Sequence, residues 1–330
     1  MKVLFAGSPA IAIPSLRALS DLELEGEGVF LAGVLTNSDS KRGRSGRDEP
    51  TEVSAAATEL DEFRKEKGLK PIPQLKPEKL DEQARKEVAA LSPDLLVSFA
   101  YGRIFGPRFL ALFPMGGVNI HPSLLPKYRG ASPIPAVILA REKETGICIQ
   151  KLALEMDAGD ILAVDRFQLS GRETTQSLSE SAAQRAAQLL RELLSDFHGK
   201  SAGARPQEGG IVYCREIKKE EGLIDWGKSA VEIDARIRAF TPWPLSFTCL
   251  GRDTLYMLET EPETYMKTFS ETDNAAPPGT VLGTDKSRGI LIQTSDGILA
   301  VSSLQWQAKK ALDWKAFCNG ARGFIGSRLG

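Results

Sequence analysis

The chain has 330 residues, a formal net charge of −1 at pH 7 and four dispersed cysteines. Its length predicts two domains, since a domain averages roughly 150 residues. The charge near zero excludes binding of a polyanion through the field of the whole molecule, so nucleic acid must be held by local patches. The cysteine spacing fits no zinc or redox motif, and we find no leader peptide and no long apolar run. We therefore expect a cytoplasmic protein with no metal and no membrane contact.

Strands and helices alternate along the first half of the chain. Short apolar runs predict strands at residues 2–7, 30–37, 70–74, 94–102 and 117–121. Amphipathic patterns between them predict helices, of which the stretch 52–68 ends at a glycine. This alternation indicates an α/β domain with a Rossmann-like, mostly parallel sheet. Ligands of such sheets bind beyond the carboxyl ends of the strands.

The pattern changes after residue 121. Residues 144–169 predict a hairpin with its turn at 157–159, and 174–199 predict a long helix. The Gly-, Ala- and Pro-rich stretch 200–210 is typical of a linker. Short strands with regular turns dominate the rest of the chain, so we predict a smaller OB-like β-barrel over 211–330.

The stretch NIHPSLLPKYRG at residues 119–130 places polar chemistry at a strand end. Asn119 and His121 are two residues apart, so both side chains point to the same face of the sheet. An amide and an imidazole can stabilise the oxyanion that forms when a carbonyl carbon becomes tetrahedral, and imidazole moves protons near neutral pH. Asp157 or Asp160 in the turn MDAGD could supply the orienting carboxylate. Pro122 ends the strand and frees the backbone of the following loop.

Other interpretations of these residues have less support. An isolated Asn-x-His at a strand end is most often a satisfied polar pair. The chain lacks the G-x-S-x-G elbow of serine hydrolases and the three-glycine fingerprint of dinucleotide-binding proteins. His198, at the predicted end of a helix, has a structural role as its simplest explanation.

Several motifs give the sequence a family resemblance. They are FAGSP, VSFAYGRI, NIHPSLLPKYRGASPI, ETGICIQ, MDAGDIL, IDW, RIRAFTPWPLSF, DGILAV and AKKAL. Together they run along nearly the whole chain, which closely resembles the methionyl-tRNA formyltransferase family. IDW, RAFTPWP and AKKAL distinguish the tRNA-directed members from other folate-dependent formyltransferases.

The resemblance implies transfer of the formyl group of 10-formyltetrahydrofolate to the amino group of methionyl-initiator tRNA. It implies a catalytic, folate-binding domain over 1–199, the linker 200–210 and a tRNA-binding domain over 211–330. By motif, the catalytic residues are Asn119, His121 and Asp157. The folate-contacting residues are Ser123, Leu124, Leu125, Pro126, Ala100, Tyr101 and Gly102, the last three through backbone groups.

Basic side chains indicate where tRNA binds. The loop SDSKRGRSGRDE carries Lys41, Arg42, Arg44 and Arg47, and alone it would be interpreted as a solvated charged loop. The resemblance implies that it enters the acceptor end of the tRNA. Lys309 and Lys310 in the tail are expected to contact phosphates. Trp243 could be a platform on which a base stacks, but we favour a buried aromatic side chain that anchors the domain interface. We expect the protein to be a monomer.

Pro122 departs from the family pattern, since many bacterial members have a small residue there, whereas related folate enzymes have proline. This departure bears on the acceptor and leaves the folate chemistry unchanged. Two alternatives to the tRNA enzyme stay open. One is a formyltransferase that acts on an amino sugar or another small amine. The other is a non-catalytic RNA-binding module on a Rossmann-like scaffold.

Overall fold

A computed structural model describes residues 1–41, 46–261 and 276–330. The strands in the first two thirds are β1 (Lys2–Gly7), β2 (Phe30–Leu35), β3 (Ser40–Lys41), β4 (Asp48–Glu49), β5 (Gln74–Leu75), β6 (Leu95–Phe99), β7 (Gly117–His121), β8 (Arg129–Gly130), β9 (Glu144–Lys151), β10 (Ile161–Gln168) and β11 (Tyr213–Cys214). The remaining strands are β12 (Ser246–Leu250), β13 (Asp253–Thr260), β14 (Val281–Asp285), β15 (Gly289–Gln293), β16 (Ile298–Trp306) and β17 (Leu312–Asp313).

Side-chain caps define where many of the helices begin. The helices are α1 (Ile13–Leu24), α2 (Glu52–Glu66), α3 (Glu82–Ala90), α4 (Pro107–Leu110), α5 (Pro133–Leu139), α6 (Thr175–Leu194), α7 (Phe197–Ala202), α8 (Ala230–Ala239) and α9 (Trp314–Gly320). Thr51 and Asp81 accept hydrogen bonds from the first turns of α2 and α3, and Ser229 forms a capping box with Glu232 at α8. Such caps satisfy N–H groups that have no partner within the helix.

The chain forms two compact units. One comprises Met1–Pro133, Glu144–Gln168 and Ser179–Cys214, and the other comprises Ile134–Lys143, Leu169–Leu178 and Arg215–Gly330. We call them the first and second units. No helix among the described residues is long and apolar enough to span a membrane.

The first unit contains a seven-stranded sheet in the order β10-β9-β7-β6-β1-β2-β5. The strands from β7 to β5 pair in parallel, and β9 runs antiparallel to β7 and to β10. The central strand β6 is buried along its whole length, as expected for a strand covered on both faces. Register pairs Asn119 with Gln150 and His121 with Cys148. The predicted mostly parallel sheet is therefore confirmed.

The second unit is built on an antiparallel sheet in the order β12-β13-β16-β15-β14, with β17 paired to β16. Its core includes Trp226, Ile233, Met257, Ile290 and Phe317, all at most 5% exposed. The predicted dominance of short strands in this part of the chain is confirmed, and the helix α8 precedes them. In the part of the chain that the structure describes, the edge strands β12 and β14 do not pair, so closure into an OB-like barrel is not confirmed.

The long predicted helix at 174–199 is interrupted. α6 ends at Leu194. α7 begins as a separate helix because the Asp196 carboxylate caps its first turn by accepting a hydrogen bond from the Gly199 N–H at 3.1 Å. Asp as a helix cap competes with continuation of the preceding helix. Helical periodicity continues through this cap, and that is why the sequence pattern predicts one helix.

Candidate active site

Asn119 and His121 lie at the carboxyl end of β7, next to the central strand β6. Ile120 between them is 1% exposed and packs into the core. The alternation of the strand therefore directs the two polar side chains away from that core, as predicted. Pro122 follows immediately, and Ser123 donates its backbone N–H to the His121 carbonyl at 2.9 Å, which turns the chain.

Asp157 lies in the connection between β9 and β10 and meets both of these residues. Its Oδ1 accepts from Asn119 Nδ2 at 3.2 Å, and its Oδ2 accepts from the Gly130 N–H at 2.8 Å. His121 Nδ1 is 3.6 Å from Asp157 Oδ2, within ion-pair range but too long for a hydrogen bond. The structure thus brings together the three side chains that the sequence predicts to be catalytic.

The protonation of His121 follows from its surroundings. The ring is 4% exposed, and Nε2 lies 2.8 Å from the Tyr128 carbonyl oxygen, which can only accept, so Nε2 carries the proton. Burial lowers the pKa of His121 below its ordinary value of 6.5, although the Asp157 charge and the Tyr128 hydrogen bond act in the opposite direction. The imidazole is therefore neutral at pH 7, and Nδ1 has a free lone pair.

Two glutamines that no sequence motif predicts complete the hydrogen-bond network. Gln150, 2% exposed, donates to Asp157 Oδ1 at 3.0 Å, and Gln207 donates to the Asp157 carbonyl at 2.7 Å. A polar residue at the end of the otherwise apolar run ICIQ is a signal that could have identified Gln150. Gln207 has no such signal, because its stretch has neither periodicity nor a recognised motif.

The loop predicted to contact folate begins directly after His121. Ser123 is fully buried, and its hydroxyl donates to the Lys127 carbonyl at 2.7 Å, so this side chain stabilises the loop. Leu124 packs so closely on Gly146 of β9 that a Cβ there would lie 2.4 Å from the leucine Cδ2. The peptide bond between Leu125 and Pro126 is cis. These residues adjoin His121, and their contact with folate stays a prediction.

The second predicted folate segment follows β6. Ala100 and Gly102 are exposed and have φ angles of 52° and 81°. Between them, Tyr101 is 2% exposed and its ring stacks on Phe105 with centroids 5.4 Å apart. Asn37 Nδ2 donates to the Tyr101 carbonyl at 3.1 Å. With its only large side chain turned inward, the segment presents mainly backbone groups at the surface, and their contact with folate stays a prediction.

The basic residues predicted to bind tRNA are only partly described. Lys41 lies in β3, paired with Asp48 of β4, and both Lys41 and Arg47 are exposed. Arg42 and Arg44 lie outside the described residues. In the second unit, Lys309 and Lys310 are exposed in the turn after β16. Their contact with tRNA stays a prediction.

The expectation that Trp243 is buried is wrong. Its side chain is 55% exposed, whereas Phe240 at the end of α8 is 1% exposed. The Leu245 N–H donates to the Phe240 carbonyl at 2.9 Å and closes a loop that carries Trp243 outside the packed helix end. Among the described residues, no group of three or more His, Cys, Asp or Glu side chains is arranged to hold a metal ion.

Comparison with known proteins agrees with this arrangement. Residues 1–194 match the family model described as formyl transferase, and residues 216–322 match the model for the formyl transferase C-terminal domain. A methionyl-tRNA formyltransferase from Treponema denticola is 48% identical over 328 residues, which are 98% of this chain and 98% of that protein.

Two solved structures share the fold at low sequence identity. A methionyl-tRNA formyltransferase from Clostridium thermocellum has a TM-score of 0.52 and 18% identity over 79% of this chain and 93% of that chain. HypX from Aquifex aeolicus, in complex with tetrahydrofolic acid, has a TM-score of 0.60 and 16% identity. That match covers 99% of this chain but 48% of HypX, so this chain corresponds to about half of that protein. The family models and the extended identity to the Treponema protein show that the chain belongs to the formyl transferase family, in its methionyl-tRNA formyltransferase branch.

Proposed function

We propose that this methionyl-tRNA-formylating enzyme takes its formyl group from 10-formyltetrahydrofolate and that its acceptor is methionyl-initiator tRNA. The single observation that carries the proposal is the contact of Asn119, His121 and Asp157 at the carboxyl end of β7. This set combines an amide donor, a neutral imidazole and a carboxylate, which suits acyl transfer to an amine.

The residues present fit a folate donor. The exposed backbone of Ala100 and Gly102 and the loop Ser123–Pro126 would hold it, and HypX, with the same fold, is known in complex with tetrahydrofolic acid. When bound, the donor supplies an activated formyl group on a nitrogen that can leave. The amide of Asn119 would donate to the formyl oxygen as that oxygen gains negative charge.

The acceptor amine needs a base. As its nitrogen bonds to the formyl carbon, a proton must leave, and the free lone pair on His121 Nδ1 is suited to accept it. The imidazolium formed would lie 3.6 Å from Asp157 Oδ2, whose charge stabilises it. The bond between the formyl carbon and the folate nitrogen then breaks, and that nitrogen takes up a proton.

The basic residues of both units would bind the tRNA. We propose that Lys41, Arg42, Arg44 and Arg47 contact the acceptor end and that Lys309 and Lys310 contact phosphates. The matches of separate family models to residues 1–194 and 216–322 support a catalytic domain over 1–199 and a tRNA-binding domain over 211–330, joined by 200–210. Because one chain supplies the complete catalytic set, we propose that the monomer is the active form. We also propose that the protein is cytoplasmic.

The test is formylation of three acceptors with 10-formyltetrahydrofolate. They are methionine on initiator tRNA, methionine on elongator tRNA and glycinamide ribonucleotide. We expect the wild-type protein to transfer the formyl group to methionine on initiator tRNA alone. His121→Ala protein should remain folded and transfer no formyl group. Equal transfer to a small amine would favour the amino-sugar or small-amine alternative, and tRNA binding without folate binding would favour a non-catalytic RNA-binding module.

A further inference from the structure

Gln207 is fixed in space by its own stretch of chain. Two residues earlier, Arg205 and Ile161 exchange backbone hydrogen bonds of 2.8 and 3.0 Å, which ties this segment to the start of β10. The segment 200–210 has the composition of a linker, yet this part of it is attached to the first unit. The Gln207 side chain consequently has a defined position beside the connection that carries Asp157.

The amide of Gln207 binds groups of opposite character at its two ends. Its Oε1 accepts from Arg129 Nε at 3.1 Å and from Nη2 at 2.7 Å. Its Nε2 donates to the carbonyl oxygens of Asp157 at 2.7 Å and Gly159 at 2.9 Å, and to Gln150 Oε1 at 3.1 Å. Since guanidinium only donates and carbonyl only accepts, the orientation of this amide is determined by its partners.

Gln150 extends the same restraint to the Asp157 carboxylate. Its Oε1 accepts from the Gly159 N–H at 3.1 Å and from Gln207, so its Nε2 must be the group that faces Asp157 Oδ1 at 3.0 Å. Gln207 therefore restrains Asp157 directly at the backbone carbonyl and indirectly at the carboxylate.

The backbone of Asp157 needs such restraint. Its φ angle is +53°, a conformation that residues with a Cβ rarely adopt. A backbone held in this region persists only where surrounding contacts impose it. Two of the contacts on this turn, to the carbonyls of Asp157 and Gly159, come from Gln207.

We propose that Gln207 is a positioning residue for formyl transfer, which fixes the Asp157 carboxylate beside His121 and is itself oriented by the buried Arg129. This proposal rests on the roles given above to His121 and Asp157. Gln207 acts through Asp157 and Gln150, so it should influence the rate of the chemical step more than the affinity for either substrate.

The kinetic test compares Gln207→Ala with Glu208→Ala, a control at the exposed neighbouring position. For Gln207→Ala we expect kcat to fall about 10- to 100-fold, a loss of the size seen when the hydrogen-bond partner that orients a metal ligand is removed. KM for tRNA and for the formyl donor should change by less than about twofold. Glu208→Ala should match the wild type in both parameters.

A second measurement reports the position of Asp157 without any substrate. The chain has two histidines, so in His198→Gln protein the imidazole NMR signals belong to His121 alone. Burial holds the thiols of Cys148 and Cys214 neutral by raising their pKa, to about 11 for Cys148. The charged groups near His121 include Asp157 and, further out, Arg129 with its ion-pair partner Glu155 at 3.5 Å; Arg166 acts on Cys148, and Asp160 shares the turn of Asp157.

In that background we expect Gln207→Ala to lower the pKa of His121, because a displaced Asp157 carboxylate stabilises the imidazolium less. Gln207→Glu keeps the Arg129 contact but turns an oxygen toward three oxygens, so its kcat should fall at least as far. Wild-type kcat in Gln207→Glu, or an unchanged His121 pKa in Gln207→Ala, would overturn the proposal. An inactive wild-type protein would instead contradict the proposed function, while the NMR titration would still test the positioning role.

Discussion

His121 has one ring nitrogen bound to the Tyr128 carbonyl and a ring that is 4% exposed, so its folded environment resists a second proton. Its pKa lies below 6.5 in the folded chain and near that value when unfolded. As the pH falls below 6.5 the unfolded chain binds a proton that the folded chain does not, and the free energy of unfolding decreases. The decrease stops below the folded pKa, where both states are protonated.

Removal of this imidazole should therefore change the pH dependence of stability. We expect His121→Asn to lower the free energy of unfolding at about pH 8 by more than at about pH 5, because the stability that wild type loses through His121 across that interval has no counterpart in the variant. Urea titrations of both proteins at the two pH values measure the difference. His198→Asn, at an exposed position, is the matched control. An equal effect of His121→Asn at both pH values would contradict a lowered pKa.

Asp157 is the residue whose charge the proposed mechanism needs. Asp157→Asn keeps the shape of the side chain, but an asparagine turns one N–H₂ group toward the donors that now bind the carboxylate. We expect kcat to fall about 10²- to 10⁴-fold, the range for loss of acid–base assistance. Steady-state formylation kinetics measure this loss. Asp160→Asn, which alters the other acid of the same turn, should change kcat less than about twofold, and an equal loss in the two variants would mean that the turn matters only structurally.

At the scale of elements, the connection between β9 and β10 is shaped by a glycine. A Cβ at position 159 would lie 1.8 Å from the Lys151 carbonyl oxygen, so any larger residue must displace the turn that carries Asp157. For Gly159→Ala we expect kcat to fall about 100-fold, because a shift of about 1 Å in a catalytic group has that effect. Parallel assays and thermal melts should compare it with Gly210→Ala, where a Cβ meets nothing within 4 Å. Activity of Gly159→Ala within threefold of wild type would show that the turn relaxes without moving Asp157.

The elements also show how far a sequence can predict a site. Period-two and apolar-run patterns correctly predict strands such as β1 and β7, and with them the placement of Asn119 and His121. The N-terminal sheet is predicted because burial on both faces leaves a sequence signal. Gln207 is not predicted, since its role depends on a bridge between residues 161 and 205 that no local pattern encodes. Trp243 is a similar case. Its aromatic side chain alone suggests burial, but the conformation of the loop after α8 leaves it exposed.

At the scale of the whole molecule, charge limits how tRNA can be held. A net charge of −1 gives no general attraction for a polyanion, so affinity must come from patches of a few lysines and arginines. Each phosphate that such a patch neutralises releases counterions, and the tRNA dissociation constant then rises steeply with salt. Because Lys309 and Lys310 lie in the second unit and the catalytic candidates lie in the first, a change at the two lysines should leave kcat intact.

We therefore expect the double variant Lys309→Ala, Lys310→Ala to bind tRNA more weakly at low salt. The slope of the logarithm of the tRNA dissociation constant against the logarithm of the salt concentration should decrease by about 1 to 2. Filter binding over a range of salt concentrations measures the slope, and saturating formylation assays measure kcat, which should stay within about twofold of wild type. Lys86→Ala removes an exposed lysine that pairs with Glu82 on α3 and should leave the slope unchanged. If the double variant kept the wild-type slope, these lysines would not contact phosphate, and RNA binding would have to depend on the basic loop at residues 38–49 and on other patches.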